Sequence, residues 1–548
     1  MSSYEKPRVI IIGAGISGLA AGCYAQMCGM ETRIFEKHVL PGGCCTAWSR
    51  DGYVFDYCIE WLSGTAPGSS AHQIWRELGA LDGKTITHFD LFNQVVAEDG
   101  RSVSFYNDPD RLERHLMSIS PADAPLIRSF CRDLRRFATL DLHPLKPPPL
   151  RTPREKARAL RTLLPAFRLL WRTAETPMHR FADRFQEPLL RQAFRNIFFQ
   201  DPGSFPLLPY LFGMAAAHAG NGGFPQGGSL GLSRSVERRY TSLGGEIGYR
   251  SRVERVLVED GRAVGVLLKD GSRHEADHVI AACDGFTAVY GLLGGRYTGP
   301  RIDRLYQDVL NRPGTVFPAM VSVFLGVDGD LGTPDPHSTT YLLPAEQAIL
   351  LPGSLQNSLV VQLRSRYSDG FAPPGKSVLH CTYLSDYESW KTLRRTDRRA
   401  YRARKNQVAD FVRDFLERRY PGIGERIDVI EVATPVTTER YTGNRQGSVL
   451  GWMAFSEADD LVAKLVRRDR LRLPGLHGFS MAGQWAGMGG LIRAATTGRF
   501  AVQYLCDELG MEFRTTQSSG ATPWHPAMLG RLPQLDRRPA KATARRPM

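Results

Sequence analysis

Three glycines and one carboxylate near the start of the chain have the types and spacing to hold a nucleotide. Gly13, Gly15 and Gly18 form G-x-G-x-x-G, and Glu36 follows them. The first glycine allows a tight turn, the second lets backbone approach a pyrophosphate, and the third lets a helix pack close to a strand. Ile16 and Ser17, in the same loop, join them as cofactor-binding candidates, just before a helix N-terminus whose unpaired N–H groups and partial positive charge face the phosphates. Glu36 is placed to accept hydrogen bonds from a ribose 2′-OH and would repel a 2′-phosphate, which disfavours NADP. Lys37, its neighbour, joins the same set.

The elements that must position these groups are legible around them. Val9 to Ile12 is a short apolar run that reads as a buried parallel strand, Leu19 to Cys28 as a helix ended by Gly29, and Thr32 to Phe35 as the second strand. Gly42-Gly43 and Cys44 follow in a turn, and the next segment carries Asp56, Glu60 and Trp61. Phe89 to Tyr106 reads as strand with an Asp99-Gly100 turn, and Asp108-Pro109 opens a helical region. Arg252 to Val258, Ala263 to Leu268 and His278 to Ala282 read as strands that return the chain to the nucleotide site. Near the end, a strand runs to Gly483. A helix begins near Gly490 and Leu491, giving a second strand–turn–helix aimed at a phosphate or a cofactor ring.

The chain has 548 residues, enough for two or three domains, with 42% hydrophobic and 23% charged residues, as in an ordinary globular protein. Its nine cysteines include no C-x-x-C pair, so reduced thiols are expected and no metal site is. No secretory signal and no membrane-spanning run is read, and the expected location is cytoplasmic, with peripheral contact at a membrane. The net charge of +14 is concentrated. Arg151 to Arg195 hold eleven Lys or Arg against four acids, and the stretch from Arg514 onward holds seven against Asp536. No nucleic-acid-binding motif accompanies the charge, so an anionic membrane surface is the better partner for a basic segment that also carries apolar residues.

That segment is the helical stretch after Pro147-Pro148-Pro149. Leu160, Leu163, Leu164, Phe167, Leu170 and Trp171 recur at helical spacing, flanked by Arg158, Arg161, Arg168 and Arg172, with a kink expected at Pro165. Two readings stand: a core-facing helix with a solvated basic face, or a helix lying on a membrane surface. Phe194, Phe198, Phe199 and a loop at Pro206 to Phe212 form a further apolar patch, read either as a substrate channel or as core.

Taken together, GAGISGLAAG with Glu36, PGG at Pro41 to Gly43, FPQGGSLGL at Phe224 to Leu232, TPVTTERYTGNRQGSVLGW at Thr434 to Trp452 and MAGQWAGMGGLIRAATTGR at Met481 to Arg499 resemble the bacterial phytoene desaturase group. That group includes carotenoid cis–trans isomerases and retinol saturase. The resemblance implies an α/β fold: a Rossmann-like two-dinucleotide-binding-domain flavoprotein (GR2, amine-oxidase-like) with a mixed-sheet substrate domain and a helical region. It implies one non-covalent FAD, with Gly42-Gly43 passing close to the flavin nucleotide, Cys44 where many members carry a basic residue, and Val253 clasping the adenine through backbone groups. It also implies an apolar polyene or lipid-like substrate in an elongated tunnel. Residues 1–110, 223–295 and 471–512 are expected to form the FAD-binding domain, 111–222 the helical substrate or membrane region, 296–470 the substrate domain, and 513–548 a disordered basic tail.

The chemistry implied is redox at a carbon–carbon bond of a long polyene or isoprenoid-like substrate. In desaturation a hydride passes to flavin N5 and a proton leaves the neighbouring carbon, with an external electron acceptor taking the electrons onward. Saturation runs in reverse, and isomerisation has no net redox change. Glu60, Arg440, Tyr441 and Arg493 are acid–base candidates by motif position, and each is also a plausible ion-pair or capping residue. The rival readings are an NAD-dependent dehydrogenase and a flavin-free prenyl-lipid carrier.

Overall fold

The computed structural model describes residues 6–197, 205–312, 314–332, 336–452, 471–487, 489–518, 523–530 and 532. The first strand, Arg8–Ile12, pairs in parallel with Glu31–Phe35 on one side and His278–Ala281 on the other. Glu246–Gly248 and Phe479–Met481 complete a five-stranded parallel sheet at its two edges. Val9 to Ile12 and every residue of His278–Ala281 are buried, because both faces of the sheet are covered there. The helix Ile16–Met27 and the helix Leu491–Glu508 cross one face side by side. Their close approach needs Gly498, where a Cβ would stand 2.3 Å from the Ser17 carbonyl oxygen.

A buried ionic contact ties the helices of this layer together. Glu77, on the helix Ser70–Glu77, accepts a hydrogen bond from the Tyr24 hydroxyl at 2.8 Å and pairs with Arg499. The Arg499 Nε donates to the Leu145 carbonyl at 3.0 Å.

The second sheet has seven strands in the order Ile427–Ala433, Ala319–Val327, Ser377–Ser385, Ser358–Leu363, Ser338–Leu342, Leu91–Val96 and Ser102–Tyr106. It is mixed: the Ser338–Leu342 and Leu91–Val96 strands run parallel, and the other neighbours are antiparallel. Every residue of Ala319–Val327 and of Ser377–Ser385 is buried, so the sheet is covered on both sides. The helix Arg398–Arg419 covers one side with Val408, Phe411, Val412 and Leu416. The two strands between Leu91 and Tyr106, expected within the FAD-binding domain, belong to this sheet instead. Their period-2 pattern identifies them as strands but carries no information about which sheet edge they extend.

Against the Leu91–Val96 and Ser102–Tyr106 edge of this sheet packs a helical region whose core includes Leu112, Ile127, Phe130, Phe181, Phe185 and Phe194. Phe194 is core: its ring stacks on Phe185 at 4.5 Å and meets Phe105 and Phe130 edge-on. Phe198 and Phe199 lie outside the described residues. The stretch expected as a loop at Pro206 to Phe212 is instead the start of a helix, Leu207–His218, with Pro206 at its N-cap. The basic apolar stripe forms two helices, Pro153–Leu163 and Phe167–Glu175, broken around Pro165. Its apolar residues face outward: Leu160 is 61% exposed and Leu164 69%, with Leu163, Phe167 and Trp171 also exposed. The core-facing reading therefore fails for most of the stripe. No helix among the described residues is long and apolar enough to cross a membrane.

The C-terminal stretch departs from the expectation of disorder. Phe513 meets the Tyr24 ring at 5.7 Å, and Arg239 donates to Thr516. The Trp524 N–H donates to the Gly83 carbonyl at 2.9 Å, while its buried indole rests against Gly227. Leu529 is buried as well. Apolar residues spaced among Pro, Ser and Thr supply enough burial to fix this chain against the domain surface. The last basic residues, Arg537 onward, lie outside the described residues.

Candidate active site

The glycine loop leaves a bay at the N-terminus of the helix Ile16–Met27. No side chain caps that helix at Gly15, and a Cβ on Gly15 would meet no protein atom within 4 Å. The space beside it is therefore open to a ligand, and the first-turn amides of Ile16, Ser17 and Gly18 supply its donors. Gly18 has a different reason to be glycine, since a Cβ there would stand 2.0 Å from the Gly13 carbonyl oxygen. Gly42 runs beside Gly15 as a parallel bridge, and its N–H donates to the Ala14 carbonyl at 2.8 Å. At Gly42 φ is +107° and a Cβ would lie 2.0 Å from the Cys45 carbonyl, so no other residue fits. The two glycine loops thus form adjacent walls, and Gly43 turns its α-carbon side toward Gly15.

Glu36 closes one end of the bay. Its Oε2 accepts from the Ala14 N–H at 2.7 Å and its Oε1 from the His38 N–H at 2.8 Å. A carboxylate has about four acceptor positions, so about two remain for a sugar diol. Burial raises the Glu36 pKa, and these backbone donors oppose the rise. The Ser251 N–H donates to the Glu36 carbonyl at 2.8 Å, which places the strand Val253–Glu259, and Val253 at its start, beside this end. Lys37 extends to Gly443. Arg440 and Tyr441 also sit here: Arg440 lies over the Tyr441 ring at 5.4 Å, and Tyr441 meets His38 edge-on at 5.5 Å. The structure brings these two acid–base candidates to the Glu36 end.

Cys44 follows the Gly42-Gly43 pair. Its Sγ accepts from Asn444 Nδ2 at 3.0 Å, and Asn444 Oδ1 accepts from the Trp485 indole N–H at 3.2 Å. Burial pushes the thiol up to about 12, so Cys44 is a neutral, uncharged wall. Gly483 donates its N–H to Thr497 Oγ1 at 2.7 Å, and Gly490 opens the helix Leu491–Glu508 without a side-chain cap, with Leu491 half-buried beside it. Arg493 is exposed on that helix near His143. Burial, assisted by the Arg493 charge, pushes the His143 imidazole down to about 4.

Glu60 faces a small pocket of about 30 Å³ lined by Trp61, Phe92, Asn107, Phe224 and His337 among others. Asp56 anchors the segment that carries it, accepting from the Ser229 N–H at 2.6 Å and the Ser229 hydroxyl at 2.8 Å. Glu60 Oε1 accepts from Arg364 Nη2 at 2.6 Å, and its other oxygen accepts from Gln362. Arg364 is 0% exposed, donates to the Ile59 carbonyl at 2.7 Å and covers the Tyr367 ring at 4.7 Å. Burial raises the Glu60 pKa while the Arg364 charge pulls it back. Gln362, Arg364, Asn107 and Ser229 escape the sequence reading. The first two are isolated polar residues at the end of a fully buried strand, Ser358–Leu363, and that interruption is the signal that could have found them.

The match to known proteins follows this geometry. A family model described as flavin containing amine oxidoreductase matches residues 16–506. The chain belongs to this family. It is a flavin oxidoreductase of mixed α/β fold, and the described glycine bay fits a flavin nucleotide. The chain is 25% identical to a prolycopene isomerase of Arabidopsis thaliana over 477 residues, covering 80% of this chain and 73% of that protein. It is 25% identical to a neurosporene-forming phytoene desaturase of Cereibacter sphaeroides, covering 80% and 83%. A solved oxidoreductase of Methanosarcina mazei shares the fold with a TM-score of 0.55 and 18% identity, covering 91% of this chain and all of that one.

Proposed function

We propose that this flavin oxidoreductase binds FAD non-covalently and acts on carbon–carbon bonds of a long apolar polyene or isoprenoid-like substrate, with desaturation as the forward reaction. The observation that carries the reading is the pocket beside Glu60, where Trp61, Phe89, Leu91, Phe92 and Phe224 gather between the edge of the seven-stranded sheet and the helix Leu207–His218. The similarity to a phytoene desaturase and a prolycopene isomerase supports the same substrate class.

FAD is favoured over a smaller flavin because the site is built along its whole length. Glu36 would hold the adenosine ribose, and Val253 would lie along the adenine. The amides of Ile16, Ser17 and Gly18 would take the pyrophosphate, and Gly42, Gly43, Gly483 and Gly490 would line the path to the ring. Bound there, the flavin supplies two-electron redox chemistry. The chain's own part is to bind and orient the polyene and to exclude water. Of Glu60, Arg440, Tyr441 and Arg493, Glu60 lines the pocket, and we assign it to touch the substrate. Arg364 holds that carboxylate in place from behind. Substrate enters from a bilayer, and the exposed stripe Leu160–Trp171 with Arg158, Arg161 and Arg168 would rest on an anionic surface.

The similarity to a prolycopene isomerase supports isomerisation as a second reading. Incubation with extracted lipids followed by mass spectrometry separates the outcomes. Loss of two mass units is desaturation, gain of two is saturation, and a changed retention time at constant mass is isomerisation. Absence of all three would overturn the reading. A yellow purified protein whose heat-released cofactor chromatographs as FAD confirms the cofactor.

A further inference from the structure

Two cysteines meet where the helices Ile16–Met27 and Leu491–Glu508 lie side by side. Cys28 caps the C-terminus of the first, and Cys506 lies in the last turn of the second. A Cβ on Gly498 would stand 3.2 Å from the Ala20 Cβ, and roughly two turns further along each helix the two thiols hydrogen-bond to one another. Cys506 is 1% exposed and Cys28 7%. The Arg514 N–H donates to Cys28 Sγ at 3.4 Å, and the Arg499 guanidinium lies over the neighbouring Phe513 ring at 4.9 Å. The hydrogen bond from Cys506, helped by the Arg514 amide and by the charges of Arg499 and Arg514, holds the Cys28 thiol below its ordinary range against the opposing effect of burial. The same bond, with burial, pushes Cys506 up. Elsewhere burial pushes the thiols of Cys23, Cys44, Cys131 and Cys283 up to about 12. A second pair in contact, Cys45 and Cys58, has the opposite surroundings: the bond to Cys45 and burial push Cys58 up, and the carboxylates of Asp56 and Glu60 add to the rise. A thiol that loses its proton readily beside cations, with a second thiol touching it, is the arrangement that favours oxidation.

We propose that Cys28 and Cys506 are a redox-active pair that hydrogen peroxide converts to a disulfide. The Cys28 sulfur attacks one peroxide oxygen: an S–O bond forms, the O–O bond breaks and hydroxide leaves, taking up the Cys28 proton as water. Sulfur gives up two electrons in this step and peroxide takes them. The Cys506 sulfur then attacks the Cys28 sulfur. An S–S bond forms, the S–O bond breaks, and the oxygen departs as water with the Cys506 proton. An external dithiol restores both thiols by exchange and leaves as its own disulfide. The link ties together the two helices whose N-termini, at Gly15 and Gly490, open on the cofactor bay. The inference is independent of the polyene reading.

The test exposes the full-length protein, reduced and freed of reductant, to hydrogen peroxide at about molar equivalence. Alkylation in denaturant followed by peptide mapping should find two of the nine thiols lost, the mass lower by two units and the Cys28 and Cys506 peptides linked, all reversed by dithiothreitol. Cys506→Ser should leave a sulfenic acid on Cys28 that dimedone captures, whereas the wild type closes before capture. Cys28→Ser should leave Cys506 unreacted. The oxidised wild type should unfold at a higher urea concentration than the reduced form, because the cross-link restrains the unfolded chain, and neither serine variant should show that difference. Should a serine variant fail to fold, the wild-type peptide map still decides. A Cys45–Cys58 link formed in place of Cys28–Cys506, a link between two chains through Cys28, or nine intact thiols in excess peroxide overturns the proposal.

Discussion

Glu36 and Ala14 are joined by a hydrogen bond of 2.7 Å that runs from the end of the second strand to the backbone of the first glycine turn. The carboxylate proposed to hold a ribose is thus the same group that fixes the glycine loop. Cofactor binding and loop geometry are coupled through one side chain.

Gly15→Val should abolish flavin binding and leave the apoprotein as stable as the wild type. A side chain at Gly15 enters open space and meets no protein atom. Gly42→Ala should instead destabilise the fold by about 3 kcal/mol or more, because both φ and the Cys45 carbonyl forbid a Cβ. Flavin absorbance and denaturant unfolding of the apoproteins measure the two effects separately. Equal loss of stability in both variants would refute the assignment of the bay.

Glu36→Ala should weaken flavin binding by about 1–3 kcal/mol for a charge-assisted hydrogen bond. It also frees the Ala14 and His38 amides, so the apoprotein should lose some stability as well. Flavin titration of the stripped protein reads the first effect, and thermal unfolding of the same preparation reads the second. Unchanged affinity would remove Glu36 from the cofactor site.

Arg499→Met should cost about 3 kcal/mol of stability, since it strands the buried Glu77 carboxylate against Tyr24. Adding Glu77→Gln should recover much of that loss, because a neutral amide needs no counter-charge. A double-mutant cycle in urea gives the coupling directly. Additive losses would show that the pair contributes by packing alone.

His337→Phe should make the protein less sensitive to acid. The folded state holds His337 down to about 3 from its ordinary 6.5, so below pH 6.5 the unfolded chain binds one more proton than the folded one. Wild-type stability therefore falls with acidification relative to the variant by about 1.4 kcal/mol per pH unit until pH approaches the folded value. Parallel urea curves at pH 7, 6, 5 and 4 test this, and a difference that does not change with pH would refute it.

Changing Arg158, Arg161 and Arg168 to Glu should abolish flotation with anionic vesicles. Each cation near the surface is worth about 1 kcal/mol, screened by salt. Arg172 is left alone because it is tied to Asp133 at 2.5 Å. Leu164→Glu with Phe167→Glu should weaken binding even at low salt. Flotation that survives both sets and disappears when residues from 531 onward are deleted would assign the contact to the tail.

The nucleotide end was legible because its constraints are local. Gly13 to Glu36 fold as one strand–turn–helix–strand unit, and the order of residue types in the chain is the order in space. The pocket was legible only in part. Glu60 could be named from its motif, but Arg364 and Gln362 reach it from roughly three hundred positions away, through a strand pairing that no periodicity reveals. Arg440 and Tyr441 could be named from their motif but not located from it, for a related reason. Their segment is a short helix, Pro435–Thr442, and the side of the cofactor site it meets is set by the sheet strand before it. The C-terminal stretch misled because its composition is that of a solvated tail, while Phe513, Trp524 and Leu529 supply the burial.

The parallel sheet has a consequence for how the chain comes off the ribosome. Its strands come from residues 8–35, 246–281 and 479–481, so the first strand has one permanent neighbour soon after synthesis and waits for the other until half the chain has emerged. The closing strand and the helix Leu491–Glu508 follow His278–Ala281 by about two hundred residues, and Trp524 docks after them. The nascent sheet edge at His278–Ala281 is therefore left open through much of elongation, apolar and unpaired, when it is most prone to wrong partners. Premature termination before residue 479 should yield a product held by chaperones, in which the cofactor bay is never completed.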